Sequence, residues 1–143
     1  MKKMLSECGG KLPEKSISEW ADIYLSLERL DEEWTKRLLG IKNLGEVPRA
    51  MFANDFFENA FEQAAVYFIY RHLGEGVYDG RIFERAAFAV LSVYMLAAAY
   101  AVGADVDTAP SALLCDAARM YSAEIEYCEG NMETLFEVLG ENC

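Results

Sequence analysis

Apolar residues fill one stretch of this chain with a single interruption and recur at intervals elsewhere. Between positions 86 and 102, AAFAVLSVYMLAAAYAV, every residue is apolar except Ser92. A helix that is hydrophobic all round is either the centre of a packed bundle or a membrane span. A span calls for about 20 apolar residues to cross ~30 Å of hydrocarbon, and this run is shorter and rich in alanine. The pattern therefore predicts a buried central helix over about 81–102.

On both sides the spacing becomes amphipathic. Ser16-Ile-Ser-Glu19 fits a capping box, and Trp20, Ile23, Tyr24, Leu27 and Leu30 follow at steps of three and four, which predicts a helix. Asp31 either continues that helix or caps a second one over 32–39, with Trp34, Leu38, Leu39 and Ile41 apolar and Gly40, Gly45 and Pro48 as stop signals. A long helix is expected over 49–73, set with Phe52, Phe56, Phe57, Phe61, Tyr67, Phe68 and Tyr70. Its inward stripe is Phe57, Ala60, Phe61, Ala64 and Phe68. Asn54, Asp55, Glu58, Glu62 and Gln63 lie off that stripe, and Gly74 and Gly76 end the helix.

After Gly103, residues 104–110 supply capping side chains and Pro110, which suits a first turn. The helix they start is expected to reach about Cys128, with Ala112, Leu113, Ala117, Met120, Tyr121 and Ile125 inward. Gly130-Asn131 breaks it. A last helix over 132–139 turns Leu135, Phe136 and Leu139 inward and Glu133, Glu137 and Glu141 to water. Residues 1–15 show no period and read as a flexible lead. No alternation or Asn-Gly turn marks a strand. The expected fold is an all-α, single-domain bundle over 16–143, with five to six mostly antiparallel helices around the central one.

Composition narrows the partners. The chain has 143 residues and a net charge of −11, with 13 basic residues against 24 acidic ones. A phosphate-gripping surface needs clustered Lys and Arg, so nucleic acid is excluded as a partner, and an anionic membrane surface is disfavoured for the same reason. Cys8, Cys115, Cys128 and Cys143 are scattered, without disulfide or metal-finger spacing. The two lysines near the start precede no apolar segment of a signal peptide, so a cytoplasmic protein is expected.

Little catalytic chemistry is visible. His72 is the one histidine and has no Glu three positions before it, which removes a di-metal site of the helical-bundle kind and leaves it as a helix-terminal residue. No metal site is expected. Glycine-rich nucleotide loops and nucleophile elbows are missing. The polar groups that stand out are Arg71 with Glu124 and Glu126, which meet if the aromatic helix packs on the penultimate one. The alternative is a structural ion pair or solvated charge. The aromatic helix reads as core, with a dimerisation surface or an interhelical pocket as the other options.

Three stretches together resemble the C-terminal helical half of the flagellin lysine-N-methylase family. The first runs Tyr24-Leu-Ser-Leu-Glu-Arg-Leu-Asp-Glu-Glu-Trp34. The second is Phe61-Glu-Gln-Ala-Ala-Val-Tyr-Phe-Ile-Tyr-Arg-His-Leu73, followed by Asp79-Gly80 and the apolar helix. The third is Arg119-Met-Tyr-Ser-Ala-Glu-Ile-Glu-Tyr-Cys-Glu-Gly-Asn-Met-Glu-Thr-Leu135. The likeness covers most of the chain from about Ile17 and implies bacterial relatives that methylate flagellin lysines with a methyl donor and an N-terminal cysteine cluster. This chain departs from that pattern: Cys8 stands alone, and Tyr127 sits where the family's ending shows His. One cysteine cannot hold an iron–sulfur centre.

The resemblance thus implies a helical half without its catalytic half. One reading is a non-catalytic module for homodimerisation or for binding a protein partner, with no cofactor in the isolated chain. A second is a component of a protein-lysine N-methyltransferase that works with a separate cysteine-cluster subunit. There, Arg71, Tyr121, Glu124 and Glu126 would line a substrate or S-adenosylmethionine pocket. A third is a bundle that holds a small apolar ligand among its aromatics.

Overall fold

Helix signals and helix positions agree along most of the chain. A computed structural model describes residues 15–105 and 107–141, and among these every regular element is helical. In chain order they are α1 (Ile17–Ser26), α2 (Glu32–Lys42), a 3₁₀ turn (Arg49–Ala53), α3 (Asp55–His72), the single turn α4 (Gly76–Asp79), α5 (Ile82–Gly103), α6 (Pro110–Tyr121), a π-helical turn (Ser122–Glu126) and α7 (Glu129–Gly140). The protein is an all-α bundle with an apolar central helix, α5. The expected lead over 1–15 and the terminal Cys8 and Cys143 lie outside the described residues, Lys15 excepted; Cys115 and Cys128 are free thiols.

Helix α5 is long and apolar enough to cross a membrane by length and composition, yet 67% of its most apolar window is buried inside the protein. Its charged lead-in, Glu84 and Arg85, and the alanines that follow suit close packing by neighbouring helices.

The described chain divides into two compact units, and α5 is shared between them at Val93. The first unit comprises Lys15–Val47 and Tyr94–Thr134. Ser16 caps α1 through the reciprocal box with Glu19, and Asp31 caps α2 by accepting from Glu33 N. The buried faces are Ile17, Trp20, Ala21 and Tyr24 on α1, Trp34, Leu38 and Ile41 on α2, the run from Met95 to Tyr100 on α5, and Ala117, Met120 and Tyr121 on α6. Arg37 extends from α2 to donate to the Ala99 carbonyl at 3.0 Å, placing a cation near the C-terminal end of α5, where it suits the helix dipole.

The second unit comprises Pro48–Val93 and residues 135–141. Phe88 of α5 is its centre, set edge-on to His72 (5.2 Å between centroids), Phe136 (5.4 Å) and Phe68 (6.5 Å). Beside it, buried Arg85 ties down the α3–α5 connection. Its Nη2 meets Asp79 at 2.7 Å, its Nη1 meets Glu75 at 2.9 Å and donates to the His72 carbonyl at 3.1 Å, and its guanidinium lies 4.9 Å from the Phe136 centroid. The Arg85 hydrogen bond, followed by the Arg81 main-chain N–H, holds the Asp79 carboxyl below the usual carboxylate range. Gly80 adopts φ 75°, the left-handed residue that closes α4.

Several boundaries differ from the expected ones. Helix α1 stops at Ser26, and Leu30 is exposed. Helix α2 continues through Gly40 to Lys42, because Gly40 lies against Val102 with no room for a Cβ, so the glycine provides a close approach and not a stop. The helix expected from 49 begins at Asp55. Asn54 caps it by accepting from Phe56 N, and the residues between Pro48 and Asn54 form the 3₁₀ turn. The helix from Pro110 becomes a π turn after Tyr121 and does not run on to Cys128. Gly130-Asn131 is no break either, since α7 already starts at Glu129.

Candidate functional site

The residues singled out for chemistry divide between the two units. Arg71 belongs to the second unit, in the last turn of α3, where a cation suits the helix C-terminus, and its side chain is exposed. Tyr121, Glu124 and Glu126 belong to the first unit, in one segment at the end of α6. All three are buried.

The π turn explains that shared burial. On an α-helix that buries one side only, residues two apart point ~200° apart, so Glu124 and Glu126 would not share that side. Widening the turn, with Tyr127 N donating to Ser122 O at 3.1 Å, buries Glu124, Ile125 and Glu126 together. Such widened turns recur at functional sites, and here the turn delivers a carboxylate to bare main chain. The connection between α1 and α2 has no regular structure, so its N–H and C=O groups need partners from elsewhere. Glu124 accepts from Leu30 N at 2.9 Å and from Asp31 N at 2.8 Å, one on each carboxylate oxygen. Asn131 completes the set. Its Oδ1 accepts from Glu28 N at 3.0 Å, and its Nδ2 donates to the carbonyls of Glu28 and Glu124, both at 2.8 Å. A carboxylate at the N-terminus of α2 also suits the helix dipole.

Next to this lock, the Tyr24 and Tyr121 hydroxyls share a hydrogen bond of 2.9 Å, and the Tyr121 ring meets Trp34 edge-on at 6.1 Å. Burial, and then the neighbouring Tyr121, push the Tyr24 hydroxyl well above its ordinary range. Glu126 accepts from Ser122 Oγ at 2.7 Å. Thus Tyr121, Glu124 and Asn131, which carry the third stretch of the resemblance, serve as internal fastenings of the first unit. Among the described residues every buried side-chain nitrogen and oxygen has a partner, and no cluster of three or more His, Cys, Asp or Glu is arranged to hold a metal ion.

His72 is buried at the end of α3, stacked on Phe68 at 6.4 Å and edge-on to Phe88. Sequence reasoning missed Asn131 and Tyr24. Asn131 looked like punctuation beside Gly130, and nothing in its spacing marks a side chain that spans three main-chain groups.

The second unit carries a different kind of surface. Eleven large apolar residues of the described chain are exposed, and eight of them fall in the segment between Phe56 and Phe83, on α3, α4 and the start of α5. Tyr70 is 86% exposed and Tyr78 93%. On α3, Phe61 and Phe68 are buried, whereas Phe56, Asn59, Gln63, Val66 and Tyr70 are all exposed and spaced by three, four, three and four. Helix α3 therefore has two stripes, one inward and one outward. The expectation that its aromatics are core holds for Phe61 and Phe68 and fails for Phe56 and Tyr70, which lie on the opposite side of the helix, and for exposed Tyr67, set ~100° round the helix from Phe68.

Fold and site together define a helical bundle whose buried polar groups are internally committed and whose second unit exposes large apolar side chains on α3, α4 and the start of α5. No family model, no curated protein and no solved structure matches the chain.

Proposed function

We propose that this chain is a non-catalytic helical interaction module that binds a protein partner, or a second copy of itself, through the exposed apolar surface between Phe56 and Phe83. The observation that carries the reading is the concentration of exposed apolar side chains there, on a chain whose remaining large apolar residues are mostly buried. Surfaces of this kind mark protein contacts. The commitment of Glu124 and Tyr121 to main-chain and hydroxyl partners supports the non-catalytic side of the reading, since a carboxylate holding two N–H groups is occupied. The resemblance to the helical half of flagellin lysine-N-methylases adds a source for such a module in the cytoplasm, where the catalytic half would be missing.

The test compares the full chain with the double variant Val66→Glu/Tyr70→Glu, first by light scattering for self-association and then by partner capture with quantification. Association that the variant loses, at unchanged helical content by circular dichroism, is the expected result. A monomer whose captured proteins are the same for both chains overturns the reading. So does saturable binding of S-adenosylmethionine to the isolated chain by calorimetry.

A further inference from the structure

The outward stripe of α3 has the pattern of one half of a helix–helix seam. Steps of three and four over Phe56, Asn59, Gln63, Val66 and Tyr70 keep one line of side chains along an 18-residue helix, opposite Phe61 and Phe68. No charge interrupts the line. Phe56, Val66 and Tyr70 offer apolar surface toward its ends, and Asn59 with Gln63 puts amides in the middle, where a buried polar residue fixes the register of paired helices.

Charge decides the occupant. Asp55, Glu58 and Glu62 are exposed and fall within an arc of about 60° along one flank of the stripe, at 100° per residue. The whole chain carries a net charge of −11. In an antiparallel pair of two copies the same flanks meet, so these carboxylates would face their equivalents, and like charges set opposite each other oppose association. An anionic lipid surface is repelled in the same way. We propose that the outer stripe of α3 seats an amphipathic helix of another protein, apolar along its own seam and flanked by Lys or Arg that faces Asp55, Glu58 and Glu62. The inference rests on the interaction-module reading and names the partner's chemistry.

The probe is a fluorescent synthetic helical peptide with Leu at its seam positions, one central Asn and Lys on both flanks, titrated with the full chain and read by anisotropy. A second peptide carries Glu on the flanks, and a third scrambles the order of the Lys peptide. The expected result is saturable binding of the Lys peptide, weakened about tenfold or more by Val66→Glu/Tyr70→Glu and by Glu flanks. Glu58→Lys/Glu62→Lys should reverse the preference, favouring the Glu-flanked peptide, a swap that general destabilisation would not produce. Equal binding of the scrambled peptide, or of both flank chemistries, overturns the proposal. A homodimer that Val66→Glu/Tyr70→Glu dissolves also overturns it, while leaving the interaction-module reading standing. Binding that occurs only after residues 1–14 are removed overturns it in favour of the chain's own beginning as occupant.

Discussion

The hydroxyl oxygens of Tyr24 and Tyr121 lie 2.9 Å apart with both residues buried, joining α1 to the last residue of α6. The two rings are 6.1 Å apart between centroids, tilted and not stacked, so the hydroxyl bond adds orientation to what is otherwise apolar packing. Tyr121→Phe deletes the hydrogen-bond partner of a buried Tyr24 hydroxyl and should cost ~1–3 kcal/mol, whereas the double variant Tyr24→Phe/Tyr121→Phe should cost less than the sum of the single changes. Urea unfolding of the three variants measures this, and simple additivity would show that the pair is not coupled.

The same pair sets an alkaline limit. Burial holds the Tyr24 hydroxyl well above its ordinary value of 10.0. The folded chain then keeps this proton when the unfolded chain has lost it, so the stabilisation is fully present below pH 10.0 and is lost as pH rises through that value toward the folded one. In this window stability should fall by up to ~1.4 kcal/mol per pH unit for this group. Tyr24→Phe should flatten that slope in pH-dependent unfolding curves.

Glu124 is the acceptor for Leu30 N and Asp31 N, and its amide analogue cannot accept both bonds. Glu124→Gln turns one acceptor into a donor facing an N–H, with an expected loss of ~1–3 kcal/mol. Asn131→Asp should cost a similar amount, because an oxygen would then face the Glu28 and Glu124 carbonyls. Hydrogen exchange resolves the effect locally. The Leu30 and Asp31 amides should exchange faster in Glu124→Gln than the amides at the centre of α1, and uniform acceleration would mean that the lock is not local.

Gly40 and Val102 touch so closely that an added Cβ has no space. Helix propensity alone would make Gly40→Ala stabilising by about 1 kcal/mol. Overpacking, typically ~1–3 kcal/mol, should win. Gly40→Ala is therefore expected to lower the melting temperature, and Val102→Ala placed on top of it should recover part of the loss. A Gly40→Ala chain as stable as the parent would show that the two helices move apart freely.

Much of the fold was legible because helix signals are local. Ser16 with Glu19, Asp31 and Pro110 each sit where their capping chemistry places a helix start, and the three-and-four spacing marks which side of α1 and α2 is buried. What was not legible depends on partners distant in sequence. Gly40 reads as a stop until Val102 is placed against it, and Asn131 reads as a breaker until the main chain of Glu28 is beside it. The π turn has no sequence period of its own, so the spacing of Glu124 and Glu126 leaves open whether they meet a partner or water, and both are buried. The outward stripe of α3 was hidden by the assumption that aromatics go inside, since Phe61 and Tyr70 differ in their side of the helix and not in their hydrophobicity.

The midpoint of α5 is closed to water on every side chain from Leu91 to Val93. Leu91 is 1% exposed, in a helix whose residues from Leu91 to Val93 are all buried, Ser92 among them. An unpaired carboxylate there loses its water shell and gains no cation on the neighbouring positions, Val90, Ser92 and Val93 being uncharged. Breaking a core in this way costs several kcal/mol, comparable with the ~5–15 kcal/mol that holds a domain folded. Leu91→Asp should therefore abolish cooperative unfolding and near-ultraviolet dichroism, while Leu91→Ala, a cavity without a charge, should lose only ~2–5 kcal/mol and stay folded. A Leu91→Asp chain that melts cooperatively near the parent temperature would mean that α5 has a water-accessible side at its midpoint, and its role as the bundle's central helix would have to be given up.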